Sequence, residues 1–115
     1  MLLALFCGIS VSDYDAAAEW YVRLLGAEPS FIPNDIEAVW DLAAGRSIYI
    51  VVRPEDAGHS VVTIFVDDLD ERVAGMAERG IEPTKQETYD NGVRKVVYRD
   101  PDGNEVGFGA AASAP

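Results

Sequence analysis

Few side chains in this sequence could move a proton, hold an ion or attack a carbonyl. His59 is the single histidine and Cys7 the single cysteine. His59 opens an alternating apolar stretch, where it is either an exposed residue at a strand start or a polar group that touches a ligand and exchanges protons with it. Glu105 opens another such stretch and is the second candidate for proton transfer. Cys7 lies in apolar alternation with no basic neighbour to lower its pKa, so it reads as a buried structural thiol. One cysteine excludes an internal disulfide and a cysteine-rich zinc site. No serine occupies a nucleophile elbow between a strand and a helix. Gly103 and Gly107 belong to a turn and a strand, not to a phosphate-cradling loop ahead of a helix. The run Asp100-Pro101-Asp102-Gly103-Asn104 lacks the length and spaced oxygens of a calcium loop and reads as a turn. No residue is thereby assigned to catalysis, and His59 and Glu105 remain its weak candidates.

The elements that must position these residues occur twice. Leu3 to Val11 alternates as a strand, and Ser12-Asp13-Tyr14-Asp15 offers helix-capping chemistry. Ala17, Trp20, Tyr21, Leu24 and Leu25 follow at helical spacing until Gly26 closes the helix. Strands are expected over 28–32, 36–42 and 47–52, with turns at Pro33-Asn34-Asp35 and Ala43-Ala44-Gly45-Arg46. After Arg53-Pro54-Glu55-Asp56-Ala57-Gly58 the order repeats. A strand at 59–66 is followed by a helix capped by Asp67-Asp68, carrying Leu69, Val73, Met76 and Ala77, and closed by Gly80. Strands at 82–89, 93–99 and 105–108 complete the second half. Ser10-Val11-Ser12-Asp13 answers Phe65-Val66-Asp67-Asp68, and Leu25-Gly26-Ala27-Glu28 answers Arg79-Gly80-Ile81-Glu82. The expected organisation is one α+β domain: a first module over 1–53, a linker over 54–58, a second module over 59–109 and a frayed tail over 110–115.

The 115 residues and their 49% hydrophobic content suffice for one core. There is no run of about 18 apolar residues, so no membrane span is expected, and a cytoplasmic location follows by default. The net charge of −11 disfavours nucleic acid and anionic membrane surfaces, because phosphates are bound by clustered Lys and Arg. An acidic field serves solubility and attracts cationic ligands.

Val11-x-Asp13, Trp20-Tyr21-x-x-Leu24-Leu25-Gly26, Val66-Asp67-Asp68-Leu69-Asp70, Gly80-Ile81 and Asp100-Pro101-Asp102-Gly103-Asn104, in this order, resemble the vicinal oxygen chelate superfamily. That superfamily includes glyoxalase I, extradiol dioxygenases, and fosfomycin- and bleomycin-resistance proteins. The resemblance implies two βαβββ modules forming an incomplete barrel around a concave cavity, and frequent homodimers. Its metal-using members carry four ligands, usually His and Glu. The corresponding positions here are Phe6, Tyr49, Val61 and Gly107, none an ordinary hard-metal ligand. A shifted site built from His59 and Glu105 would need a third ligand from Asp41 or Glu37. The expectation is no metal and no cofactor.

On the predicted alternation, Leu5, Ile9, Ile48, Ile50, Val62, Ile64, Val106 and Phe108 face the helices. The opposite face carries Phe6, Gly8, Tyr49, Val51, His59, Val61, Thr63 and Gly107, with Trp40 as a stacking wall if it points the same way. Gly8 and Gly107 would leave room there. So apolar a free face suits a small-molecule pocket or a second subunit. The first expectation is a metal-independent, drug-sequestering binding protein for an organic, aromatic and cationic ligand. The alternatives are a lyase, isomerase or dioxygenase of the glyoxalase type, metal-dependent or metal-free, and a regulatory or dimerisation domain.

Overall fold

Period-two alternation and two amphipathic stripes produce the expected elements. The computed structural model describes residues 1–112; positions 113–115, part of the expected tail, lie outside the described residues. The order is β1 (Leu5–Val11), α1 (Tyr14–Leu25), β2 (Phe31–Asn34), β3 (Glu37–Ala43), β4 (Arg46–Val52), a 3-10 turn (Pro54–Asp56), β5 (Val61–Phe65), α2 (Leu69–Glu78), β6 (Lys85–Thr88), β7 (Arg94–Arg99) and β8 (Glu105–Ala110). Each half folds as βαβββ. The first sheet runs β1-β4-β3-β2 and the second β5-β8-β7-β6. In both, the first and last strands of the half pair in parallel, which the intervening helix permits, and the rest pair antiparallel. The two sheets are separate and are not closed into a barrel.

Helix α1 starts where Asp13, in extended conformation, accepts a hydrogen bond from Ala16 N at 3.0 Å. It stops at Gly26, whose φ of 71° lies in the left-handed region. Its last carbonyls are met from the other half, because Arg79 donates to the oxygens of Arg23 and Leu24. Helix α2 departs from expectation at its start. Asp68 occupies the cap position, but its carboxylate bonds Arg72 Nε at 2.6 Å rather than a backbone amide.

Both sheets turn one face onto the helices, and a single core results. Ile9, Trp40, Ile48 and Ile50 from the first sheet and Val96, Tyr98, Val106 and Phe108 from the second join Trp20, Tyr21, Leu24, Leu69 and Met76 from the helices. Truncating fully buried Leu24 to alanine would cost about 2–5 kcal/mol.

Boundaries shift by a few residues. The second strand begins at Phe31 rather than 28 and takes in Pro33 and Asn34, expected as a turn; it is an edge strand, where a missing N–H is tolerated. β8 extends to Ala110, one residue into the expected tail. β5 begins at Val61, so His59 precedes the strand instead of belonging to it.

A polar network is centred on the turn over residues 100–104, and its bonds to Ser10, Ser12 and Tyr21 cross between the halves. Fully buried Asn104 accepts from Gly58 N and Ser60 N at 3.0 Å each. It donates through Nδ2 to Ser10 O and Asp100 Oδ2 at 2.8 Å each. Asp100 also accepts from the Tyr21 hydroxyl at 2.9 Å, and Asp102 takes both the backbone N–H and the hydroxyl of Ser12. This turn, legible only as a reversal in the sequence, fastens the second half to β1 and α1.

Candidate functional site

The strand registers decide which side chains share the faces turned away from the helices. On the first sheet, Phe6 is level with Ser47, Gly8 with Tyr49, and Ser10 with Val51, while Val39 and Asp41 continue the rows onto β3. On the second, Val61 is level with Glu105, Thr63 with Gly107, and Phe65 with Gly109, while Val97 and Arg99 continue onto β7. Phe6, Tyr49 and Val51 thus share one open face, and Val61, Thr63 and Gly107 share the other.

Trp40 does not join them. It is level with Ile48, on the helix side, where it is 2% exposed, packs 5.9 Å from the Tyr21 ring and donates Nε1–H to Ala27 O at 2.9 Å. A buried indole needs a partner for its N–H, and the bend after α1 supplies one. The expected stacking wall is therefore a core residue. His59 is exposed in the loop before β5, with no side-chain bond among the described residues.

The glycines of the open faces are not vacancies. A methyl group on Gly8 would come within 2.7 Å of the Tyr49 hydroxyl and ring, on Gly107 within 2.7 Å of Lys95 Cε, and on Gly109 within 2.7 Å of the Phe65 ring. Each glycine lets a long side chain from a neighbouring strand lie flat across the backbone. In place of the expected space at Gly8 and Gly107 stand a phenol and an ammonium.

The two faces differ in charge. In the first sheet's rows the ionic groups are Glu37 and Asp41, the latter accepting from the Ser47 hydroxyl at 2.6 Å. In the second sheet's rows Lys85, Lys95 and Arg99 stand against Glu87 and Glu105, leaving one positive charge in excess. Glu105 lies 3.8 Å from Lys95 Nζ through one oxygen and 3.5 Å from Arg99 Nη2 through the other. The overall charge of −11 does not extend to this face, which sequence reading missed because Lys95 and Arg99 become neighbours of Glu105 only through the β7–β8 register.

Exposure on these faces is uneven: Val39, Ser47, Val51 and Val97 are buried, and the bare side chains stand on β1 and β5. Phe6 is 52%, Val61 68% and Phe65 62% exposed. A groove of about 670 Å³ where the halves meet is lined mainly from the helix-facing rows, by Leu5, Cys7, Ile48, Val62, Ile64 and Phe108 with Leu25 of α1, and takes only Ser47, Thr63 and Phe65 from the open rows. Arg72, at its mouth, already pairs with Asp68.

A catalytic metal needs about three protein ligands and an open position. Phe6, Val61 and Gly107 offer no donor atom, and Lys95 laid across Gly107 would repel a cation there. Among the described residues no three His, Cys, Asp or Glu side chains converge. The residues present do not fit the metal site that the family resemblance implies.

In the core, burial first, and then the Asp100 carboxylate that its hydroxyl bonds, push the Tyr21 phenol far above its ordinary range. Burial, with Glu82 second, raises Tyr98 as well. Both are structural groups rather than proton carriers.

The model of the Glyoxalase/Bleomycin resistance protein/Dioxygenase superfamily matches residues 4–108. A glyoxalase / bleomycin resistance protein from Catenulispora acidiphila is 58% identical, with 95% of this chain and 98% of that one covered and a TM-score of 0.92. A bleomycin-binding protein complexed with bleomycin superposes at a TM-score of 0.75 with 19% identity, covering 92% of this chain and 96% of its own. A lactoylglutathione lyase from Agrobacterium tumefaciens gives a TM-score of 0.74 with 19% identity over 92% of this chain and 91% of its own. At such identities the likeness concerns the fold. A search of curated proteins finds no match.

Proposed function

Because the chain belongs to the glyoxalase/bleomycin resistance protein/dioxygenase superfamily, we propose that it is a binding protein of the bleomycin-resistance kind, which holds an organic molecule against its open sheet faces without a metal. The observation that carries this reading is the make-up of those faces: Phe6, Val61 and Phe65 stand exposed and Tyr49 half-buried, where a solvated sheet face would be polar. Aromatic and aliphatic walls bury a ligand body, and Glu37 and Asp41 on the first sheet suit a positive group. A second copy would cover what one chain leaves bare, so the binding form is a homodimer. The lone free thiol accords with a cytoplasmic setting.

The neighbour that binds bleomycin supports the choice of ligand class, and bleomycin itself is the first probe. Thermal-shift and calorimetric titration should show saturable binding and a rise in melting temperature, with sedimentation reporting a dimer. Metal analysis of the purified protein checks the other half of the claim. About one tightly held divalent ion per chain, lost on chelation together with binding, would overturn the metal-free reading. An absence of response to bleomycin and to aromatic probes of either charge would overturn the binding reading.

A further inference from the structure

The geometry points to a ligand that carries an anionic oxygen group, and we propose that Lys95 is the residue that selects it. This rests on the reading that ligands lie on the open faces, and it adds the chemistry recognised on the second sheet.

Lys95 is unusually placed for a surface lysine. Its stem crosses the bare backbone of Gly107, with Cε where a side chain at that position would stand. The side chain is 22% exposed, held in the middle of the sheet rather than extended into solvent. The nearest carboxylate oxygen, on Glu105, is 3.8 Å from Nζ, beyond hydrogen-bonding reach. Among the described residues no acceptor takes any of the three N–H donors of this ammonium. Glu105 is moreover divided between Lys95 and Arg99, so one carboxylate serves two cations.

The surroundings match an amphipathic guest. Thr63, exposed, is level with Gly107 beside the crossing lysine stem, and its hydroxyl bonds no protein group among the described residues. Phe65 lies flat across Gly109, one row further along, and Val97 is level with Gly107 on the other side. An ammonium and a hydroxyl with unspent hydrogen-bonding capacity, flanked by an exposed phenyl ring, would take a carboxylate or phosphate ester attached to an apolar body. Charge-assisted hydrogen bonds of this kind are stronger than neutral ones. The excess positive charge on this face would favour the same group in a chain whose net charge otherwise repels anions.

The test uses four probes with one aromatic body: 2-naphthoate, 2-naphthyl phosphate, neutral 2-naphthylmethanol and cationic 2-naphthylmethylammonium. Binding is followed by amide NMR titration, which reads position through Gly107 and Thr63 on the second sheet and Gly8 on the first. The naphthoate or phosphate should shift Gly107 and Thr63, the stronger of the two naming the group. Lys95→Gln should weaken that anion about tenfold or more and leave the neutral probe unchanged. Glu105→Gln, which removes the competing carboxylate, should tighten the anion, so that two variants of opposite expected sign guard against mere misfolding. Preference for the cationic probe at Gly107, or anion binding indifferent to Lys95→Gln, would overturn the proposal while leaving the binding reading intact. Failure of all four probes to move any of these amides while bleomycin still binds would overturn the proposal alone, and failure of bleomycin as well would remove both.

Discussion

Asn104→Ala tests whether the turn over residues 100–104 carries stability through its buried side chain or merely reverses the chain. That side chain ties the linker and the start of β5 to the turn and reaches β1 through Ser10 O. The asparagine side chain makes four hydrogen bonds, to Gly58 N, Ser60 N, Ser10 O and Asp100 Oδ2, and is fully buried. Alanine removes all of them and leaves two N–H groups and a carbonyl without their partner, each costing about 1–3 kcal/mol when it stays dry. Some water would enter the vacated volume, so the summed loss should be about 3–5 kcal/mol. For a chain of this size that corresponds to a fall in Tm on the order of 12–20 °C. Urea denaturation followed by circular dichroism is the assay, with an unchanged slope showing that stability rather than compactness has moved. Asn104→Asp sharpens the test, because it keeps the acceptor but sets a second carboxylate beside Asp100; its deficit should shrink on acidification. A loss below about 1 kcal/mol for Asn104→Ala, typical of surface substitutions, would refute the argument that this buried side chain is a structural tie.

The remaining predictions concern the core and the first open face. Tyr21 and Tyr98 keep their protons in the fold to higher pH than in the unfolded chain, so their contribution is complete below the unfolded phenol pKa of about 10 and is lost as pH rises beyond it; Tyr21→Phe should flatten the alkaline decline in a stability–pH series and cost about 1–2 kcal/mol at neutral pH. Trp40→Phe should lower stability by about 1–3 kcal/mol yet leave ligand affinity unchanged in a calorimetric titration, since the indole lies on the helix side of its strand. Gly8→Ala should displace the Tyr49 ring, at a cost of about 1–3 kcal/mol, and weaken any ligand stacked on it; unchanged tyrosine fluorescence and affinity would contradict the placement.

The repeated βαβββ order was readable because alternation, capping and glycine closure each mark their element locally. Asp13 and Gly26 do at α1 what their types promise. The phase of β1, β4, β5 and β8 was equally legible, since Ile9, Ile48, Ile64 and Phe108 leave only one face free to cover with helices. Trp40 was not, because Ala38, Val39 and Trp40 do not alternate, and only the β3–β4 register, the Tyr21 contact and the bond to Ala27 O place the ring. The glycines misled for a different reason: a missing side chain reads as space in one dimension, whereas Tyr49 and Lys95 arrive from the neighbouring strand. Asn104 looked like an ordinary turn residue because its partners lie 94, 46 and 44 positions away. Likewise the positive excess near Glu105 exists only once β7 and β8 are in register.

The halves also differ in how well their cores are finished. In the first, Trp40 sits on β3 with its polar atom answered by Ala27. In the second, Tyr98 holds the corresponding place on β7, fully buried, and its hydroxyl has no partner among the described residues. One copy of the repeat thus retains a buried oxygen that weakens it, and removing that oxygen should be harmless or helpful. Tyr98→Phe should therefore gain up to about 1 kcal/mol, making it a convenient starting background in which the more damaging variants above would still fold.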